Sequence, residues 1–394
     1  MRNADALLAK THEIAAALAK ERRARQLRRK LDPSDFQRLR DKGLHLISVP
    51  VAYGGMWEDL HHSVRPLCET LRILAHGDSS LALVFSMHPS VLSFWRDAQP
   101  PAASAPAWET QRRKVFEAAR EGAWWGTITS EPGSGGDVAN TKTVAQPENG
   151  TSLAYRLTGQ KHFGSGSGVT SYMLTTALPA GEQQPDWFFL DVRDVPWDGS
   201  SGMKLVAEWD GHGMASTNSH AFSFRDFPAT RIAWPGHWRD VLEANGGSVS
   251  LSFTAVVVGI TEAAMAFMRQ ELLKRGNPAA TLRAYEKVEW VSAEQEAWLI
   301  GQAYEGALQS IERKGRARHD TLMAKTNIAR LAESLLTRLC RISGGGVFAR
   351  HSPLGFWFED VRALGFLRPP WGLAFDGLFE LSWQGLTASQ TETA

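Results

Sequence analysis

The sequence predicts an α+β multidomain chain: an N-terminal helical domain, a central antiparallel β-barrel or sandwich, and a C-terminal four-helix bundle. Three observations carry this. Apolar residues recur at helical spacing through the first third of the chain; from about Trp124 to Trp234 short β-branched or aromatic runs alternate with Gly, Pro and Asn; and helical spacing returns near Ser248. No helical stretch separates the strands of the middle part, which favours antiparallel connections over βαβ crossovers. With 394 residues the chain suits two or three packed subdomains, expected at 1–122, 123–236 and 237–394.

Taken in order, residues 5 to 30 set Leu and Ala among Lys, Arg and Glu with helical period, and Asp32-Pro33-Ser34 restarts the chain with a capping side chain. Helices are expected from His61 to Ala75, Ser79 to Trp95 and Trp108 to Glu121, with the Pro- and Ala-rich segment from Gln99 to Pro106 as a loop. Runs beginning at Tyr155, Ser171, Trp187 and His220 read as strands. Ser248 to Arg275, Leu282 to Lys314, His319 to Ile342 and Trp371 to Leu386 then supply four helices, the third stopped by Gly344-Gly-Gly346.

Composition excludes several classes. A formal net charge of +1 gives no reason to expect nucleic acid or an anionic membrane as partner. The basic run from Glu21 to Lys30 lacks aromatic interleaving and reads as a solvated helix face. Two cysteines, Cys68 and Cys340, are expected to be reduced thiols, which points to the cytoplasm. The run Leu251 to Ile260 is too short to span a bilayer, and no spacing of His, Cys, Asp or Glu suits a metal.

The chemistry lies in two linked segments. Thr127-Ile-Thr129-Ser130-Glu-Pro-Gly-Ser134-Gly-Gly136-Asp137 is a small-residue turn rich in main-chain donors. Leu157-Thr-Gly-Gln-Lys161-His-Phe163-Gly-Ser165-Gly is a strand ending in an aromatic ring and a hydroxyl. Such a pair suits a flat, hydrogen-bonding ring system with a phosphorylated tail, a flavin. The two segments resemble the flavin-binding middle domain of the acyl-CoA dehydrogenase superfamily. Gly43-Leu44 and Pro50 to Gly55 before them, and Trp209 to Thr217, Gly344 to Gly346 and Phe358 to Arg362 after them, follow the order of that family.

The resemblance implies a flavin, FAD or FMN, held by Thr127, Thr129, Ser130, Ser134, Gly136, Phe163, Ser165 and Gly345. Thr129 and Ser130 would meet the pyrimidine edge, Phe163 would stack near the ring, and Ser165 would approach the reactive nitrogen. Gly136 stands where the family has a pyrophosphate-binding Ser, which opens FMN beside FAD, with Ser134 as the compensating hydroxyl. A homotetramer, a dimer of dimers through the C-terminal helices, is also implied.

A dehydrogenase of this family needs a carboxylate base, and here Arg368 occupies or neighbours its place. Arginine stays protonated and cannot serve. The resemblance is therefore to the flavin-dependent monooxygenases of the superfamily, similar to dibenzothiophene monooxygenase. Those enzymes take reduced flavin from a separate reductase and shield a labile flavin–oxygen adduct from water. This assigns catalytic roles to His88, Ser165 and Arg368 on a small, apolar substrate. Two of them have plainer competitors: His88 as a satisfied core histidine, Arg368 as an anchor to Glu359 or Asp360. An acyl-CoA dehydrogenase with an atypical base and a silent scaffold are the alternatives.

Overall fold

The computed structural model describes residues 1–148 and 153–383. Six helices come first: α1 (Ala4–Lys20), α2 (Arg22–Leu27), α3 (Pro33–Asp41), α4 (Leu60–Gly77), α5 (Ser79–Asp97) and α6 (Ala105–Arg120). The expected single helix over 5–30 is thus two, broken at Glu21. Asp32 caps α3 by accepting from the Ser34 N–H at 2.9 Å, as the Asp-Pro-Ser spelling predicts.

Seven strands follow: β1 (Trp125–Thr127), β2 (Val144–Pro147), β3 (Ala154–Gly164), β4 (Tyr172–Pro179), β5 (Asp186–Asp191), β6 (Met203–Ala207) and β7 (His220–Arg231). The pairings β4–β2–β3–β7–β5 and back to β4 close a five-stranded barrel, with β1 attached to β4 and β6 to β7. The sheet is not purely antiparallel, contrary to the sequence expectation. Both β1 and β2 run parallel to β4, Thr127 beside Leu174 and Val144 beside Leu178. They behave as one interrupted strand on a single edge of β4, and residues 128–143 are looped out between them. The Gly-rich turn is this excursion. An alternating pattern reveals that a strand exists but not which neighbour it takes.

The remaining helices are α7 (Trp238–Glu243), α8 (Ser248–Lys274), α9 (Pro278–Thr281), α10 (Ala284–Glu312), α11 (Ala317–Ser343), α12 (Pro353–Arg362) and α13 (Trp371–Trp383). Residues 384–386 of the expected fourth helix lie outside the described residues. At 27 residues, with an 18-residue window of mean hydropathy 1.7, α8 is long and apolar enough to cross a bilayer, more than the run Leu251 to Ile260 indicates. Its apolar surface is spent on protein: it packs against α4, α5, α10 and α11, and Leu251, Val256, Val257 and Ile260 are fully buried. Every residue of α5 from Ser79 to Arg96 is buried as well. That helix runs through the centre and lies against β1, so it sets the floor on which the looped-out turn begins.

Candidate functional site

A buried ion pair ties the two sequence segments together. Lys161 on β3 reaches Glu131 in the turn at 2.5 Å, and both side chains are almost wholly buried. Glu131 also accepts from the Lys142 N–H at 2.6 Å, the Thr143 N–H at 3.1 Å and the Thr141 hydroxyl. Lys161 adds bonds to Thr141 Oγ1 at 2.9 Å and Thr176 Oγ1 at 3.2 Å. A buried charge needs this degree of pairing. Burial would raise the Glu131 carboxyl, but the Lys161 bond and charge overcome it and hold it down at about 2. Burial lowers Lys161 to about 8 against the pull of Glu131. The sequence gives no signal for this pair beyond the two residues themselves, thirty positions apart.

The strand end behaves as expected for an exposed aromatic. Pairing of β3 with β7 is irregular between Lys161 and Gly164, and within that irregularity Phe163 takes φ +61°. A positive φ is uncommon for a bulky residue, and here it leaves the ring 54% exposed. Its edge meets Trp209, with centroids 6.0 Å apart at 83°. Trp209 is held by its N–H to His220 Nδ1 at 2.8 Å and its indole N–H to the Met214 carbonyl at 2.9 Å.

Arg368 comes from the far end of the chain to the same turn. Its guanidinium donates to the Gly136 carbonyl at 2.6 Å, to the Thr129 hydroxyl and to the Ser130 hydroxyl at 3.3 Å. Burial lowers it to about 10, opposed by the charge of Asp137. Among the described residues it has no carboxylate in salt-bridge contact. It is therefore not the anchor to Glu359 or Asp360: Glu359 pairs with Arg362 at 2.9 Å, and Asp360 takes the Ser79 hydroxyl and the Met214 N–H. Two acids of the C-terminal helices, Glu262 and Asp376, do not supply an atypical base to this cluster. Glu262 is paired with Arg72 and His76 between α8 and α4, and Asp376 is exposed on α13.

Two of the expected site residues are already engaged within the protein. The Nε2 of His88 donates to the His45 carbonyl at 2.9 Å, and its Nδ1 accepts from the Trp125 N–H at 3.2 Å. Both ring nitrogens are thereby committed, and burial holds the imidazole neutral, down to about 3. It has nothing left to give a substrate. Ser134 is likewise not a free hydroxyl. It donates to the Glu131 carbonyl at 3.0 Å and accepts from the Gly136 N–H at 3.2 Å, bracing the turn from within. A serine at Gly136 would be strained, because φ is +82° and a Cβ would lie 3.0 Å from Pro370 Cγ. The position expected to bind a pyrophosphate thus favours glycine.

Thr127 bridges Ser165 through its main chain, while its hydroxyl lies 3.6 Å from the Met87 sulfur on α5. Ser165 ends a buried series of hydroxyls through Ser219 and Thr217, residues that sequence reasoning did not single out. Gly345 sits apart, exposed on the turn after α11. That turn borders a cleft of about 620 Å³ lined by His212, Cys340, Gly344, Phe348 and Glu359. The structure thus gathers Thr129, Ser130, Gly136 and Arg368 into one cluster, joins Thr127 to Ser165, and leaves His88 and Gly345 outside.

The donor set fits a flavin. It offers an exposed aromatic face, a Gly-rich turn, a cation without a salt-bridge partner among the described residues, and hydroxyls at Thr129, Ser130 and Ser165. Residues 126–227 match the acyl-CoA dehydrogenase middle domain. The chain is 28% identical over 359 residues to the amino sugar nitrososynthase DnmZ of Streptomyces peucetius, covering 85% of this chain and 82% of that one. It superposes on FMN-bound TdsC, a dibenzothiophene monooxygenase from Paenibacillus sp. A11-2, with a TM-score of 0.79 and 19% identity over 96% of each chain. It superposes on butyryl-CoA dehydrogenase of Megasphaera elsdenii with a TM-score of 0.81 and 17% identity, covering 98% of this chain and 99% of that one. With its helices, closed barrel and helices in that order, the chain has the acyl-CoA dehydrogenase-like fold, and its central domain matches that family's middle domain.

Proposed function

We propose that this protein is a flavin-dependent monooxygenase that takes reduced FMN from a separate reductase and uses oxygen on a small, apolar substrate. The observation that carries the reading is Arg368, a cation bonded to Gly136, Thr129 and Ser130 at the place where a dehydrogenase needs a carboxylate. When bound, reduced flavin supplies the two electrons that let one oxygen atom enter the substrate and the other leave as water.

The residues serve that chemistry in separate ways. Arg368, beside Thr129 and Ser130, offers positive charge to the ring edge that gains electron density on reduction. Phe163 and Trp209 give an apolar face that keeps water from the ring. FMN is favoured over FAD because neither hydroxyl expected to hold a second phosphate is present: Gly136 has none, and that of Ser134 is used inside the turn. The nitrososynthase and the dibenzothiophene monooxygenase among the similar proteins agree with an oxygen-using reaction.

The test is anaerobic. The purified protein is loaded with oxidised flavin and mixed with acyl-CoAs of several chain lengths, then separately loaded with reduced FMN and exposed to oxygen. An oxygen-dependent absorbance transient that outlasts the reaction of free reduced FMN is expected. Bleaching of the bound flavin by any acyl-CoA would overturn the proposal in favour of α,β-dehydrogenation.

A further inference from the structure

The Ser165 hydroxyl is one end of a chain of three. Its Oγ lies 2.8 Å from Ser219 Oγ, which lies 2.7 Å from Thr217 Oγ1. Thr217 Oγ1 in turn lies 2.9 Å from the Met214 carbonyl oxygen. All three side chains are buried, at 7%, 8% and 0% exposure for Ser165, Ser219 and Thr217.

A hydroxyl has one proton to give, whereas a carbonyl oxygen can only accept. The carbonyl end therefore sets the direction of the chain. Thr217 donates to Met214, Ser219 donates to Thr217, and Ser165 donates to Ser219. The proton of Ser165 is then spent within the protein, and what its Oγ has left for a ligand is a lone pair. Running the chain the other way turns Thr217 toward Ser219 and forfeits its bond to Met214. One net hydrogen bond biases such a choice by roughly two- to ten-fold.

The segment carrying this chain is held in a costly shape. Met214 and Asn218, neither of them glycine, have φ of +49° and +46°. Asp360 fixes the first through the Met214 N–H at 2.6 Å. The second is fixed by its own side chain, which accepts from the Leu31 N–H at 3.1 Å and donates to the Ser167 carbonyl at 2.9 Å. Left-handed backbone at non-glycine residues persists where surrounding bonds enforce it, often beside a ligand.

We propose that Ser219 and Thr217 are positioning residues that make Ser165 a hydrogen-bond acceptor, so that the site prefers reduced over oxidised flavin. This rests on the reading that a flavin occupies the site with its N5 at Ser165. The N5 of oxidised flavin is an acceptor and gains nothing from a lone pair, whereas the reduced ring carries an N5–H that donates to it.

The experiment measures anaerobic dissociation constants for oxidised and for reduced FMN, together with the midpoint potential of the bound flavin. Wild type is compared with Ser219→Ala, Thr217→Val and the conservative Thr217→Ser. Wild type is expected to bind the reduced form more tightly. Ser219→Ala and Thr217→Val free the Ser165 proton and are expected to shrink that preference by roughly two- to ten-fold, chiefly through tighter binding of oxidised FMN. Thr217→Ser is expected to restore it. Either of the first two suffices if the other fails to fold. An unchanged ratio in folded variants, or a wild type that prefers oxidised FMN, overturns the inference while leaving the flavin reading intact. Failure of the wild type to bind FMN or FAD in either state sinks the flavin reading itself.

Discussion

Replacing His88 with glutamine separates a structural histidine from a catalytic one. In the wild type the ring donates to His45 O and accepts from the Trp125 N–H, so it holds the chain at the start of β1, just before the looped-out turn. A glutamine amide has both a donor and an acceptor and does not titrate. Burial holds the folded imidazole down at about 3, whereas in the unfolded chain it titrates near 6.5. Between those values the unfolded state binds a proton that the folded state lacks, so the stability is complete above pH 6.5 and falls as the solution is acidified. The loss traceable to His88 is about 2 kcal/mol by pH 5 and about 4 kcal/mol by pH 3. Urea unfolding followed by tryptophan fluorescence reads it directly, since the His88 ring lies 5.0 Å from that of Trp124. The variant is expected to start about 1 kcal/mol lower at pH 7.5 but to lose about 2 kcal/mol less than wild type on going to pH 5. Parallel pH profiles, or a His88 resonance that titrates near 6.5, would refute the reasoning and return His88 to the candidate catalytic residues.

Three other perturbations test the cluster around the turn. Lys161→Met leaves Glu131 buried without its cation and is expected to cost about 3–5 kcal/mol in chemical denaturation, while adding Glu131→Gln recovers part of the loss. In the wild type the low Glu131 value gives stability that is present above about pH 4.5 and lost as the pH falls toward 2, and the Glu131→Gln/Lys161→Met double variant is expected to show a shallower acid limb. Gly136→Ser, forced into φ +82° against Pro370, is expected to lower stability by about 1–2 kcal/mol without improving FAD affinity over FMN in equilibrium dialysis. Arg368→Met is expected to weaken reduced FMN roughly ten-fold or more and oxidised FMN less; equal losses in the two would remove charge from the explanation.

How much was legible in the sequence depended on distance along the chain. Sequence pattern located α4, α5, α8, α10 and α11 to within a few residues, because α4, α10 and α11 bury a stripe set by their own spacing and α5 and much of α8 are apolar enough to be buried on all sides. It failed where partners are remote. Nothing local says that β1 and β2 share an edge of β4, or that Lys161 will find Glu131. The Arg368 guanidinium meets a carbonyl 232 positions away, a contact created only when α12 and the segment after it fold back over the barrel. The internal bonds of Ser134 were hidden for the opposite reason. A hydroxyl in a Gly-rich turn looks free on paper, but a turn that short consumes its own polar groups. Thr217 only closes the segment from Trp209 that resembles the family, and Ser219 lies beyond it; their hydroxyls fall into line with Ser165 only when two strand ends meet.

Charge and hydrogen-bond direction at this site point the same way, from separate parts of the chain. An α,β-dehydrogenating pocket needs a carboxylate to remove a proton and a donor toward the N5 of an oxidised ring that is about to accept hydride. On the proposed reading the first place is taken by Arg368 and the second by a Ser165 whose proton is directed inward to Ser219. The two features share no residue and no element. On the proposed reading each stabilises a ring that is already reduced, and each would work against a protein that must begin with an oxidised one. Reverting Arg368 to glutamate would therefore not by itself recreate a dehydrogenase. The Arg368→Glu variant is expected to show no acyl-CoA-dependent bleaching of bound flavin, because the hydroxyl chain still disfavours the oxidised cofactor and the new carboxylate would lie against the Gly136 carbonyl. Bleaching by an acyl-CoA in that single variant would show that direction of hydrogen bonding is immaterial and that charge alone divides the two chemistries.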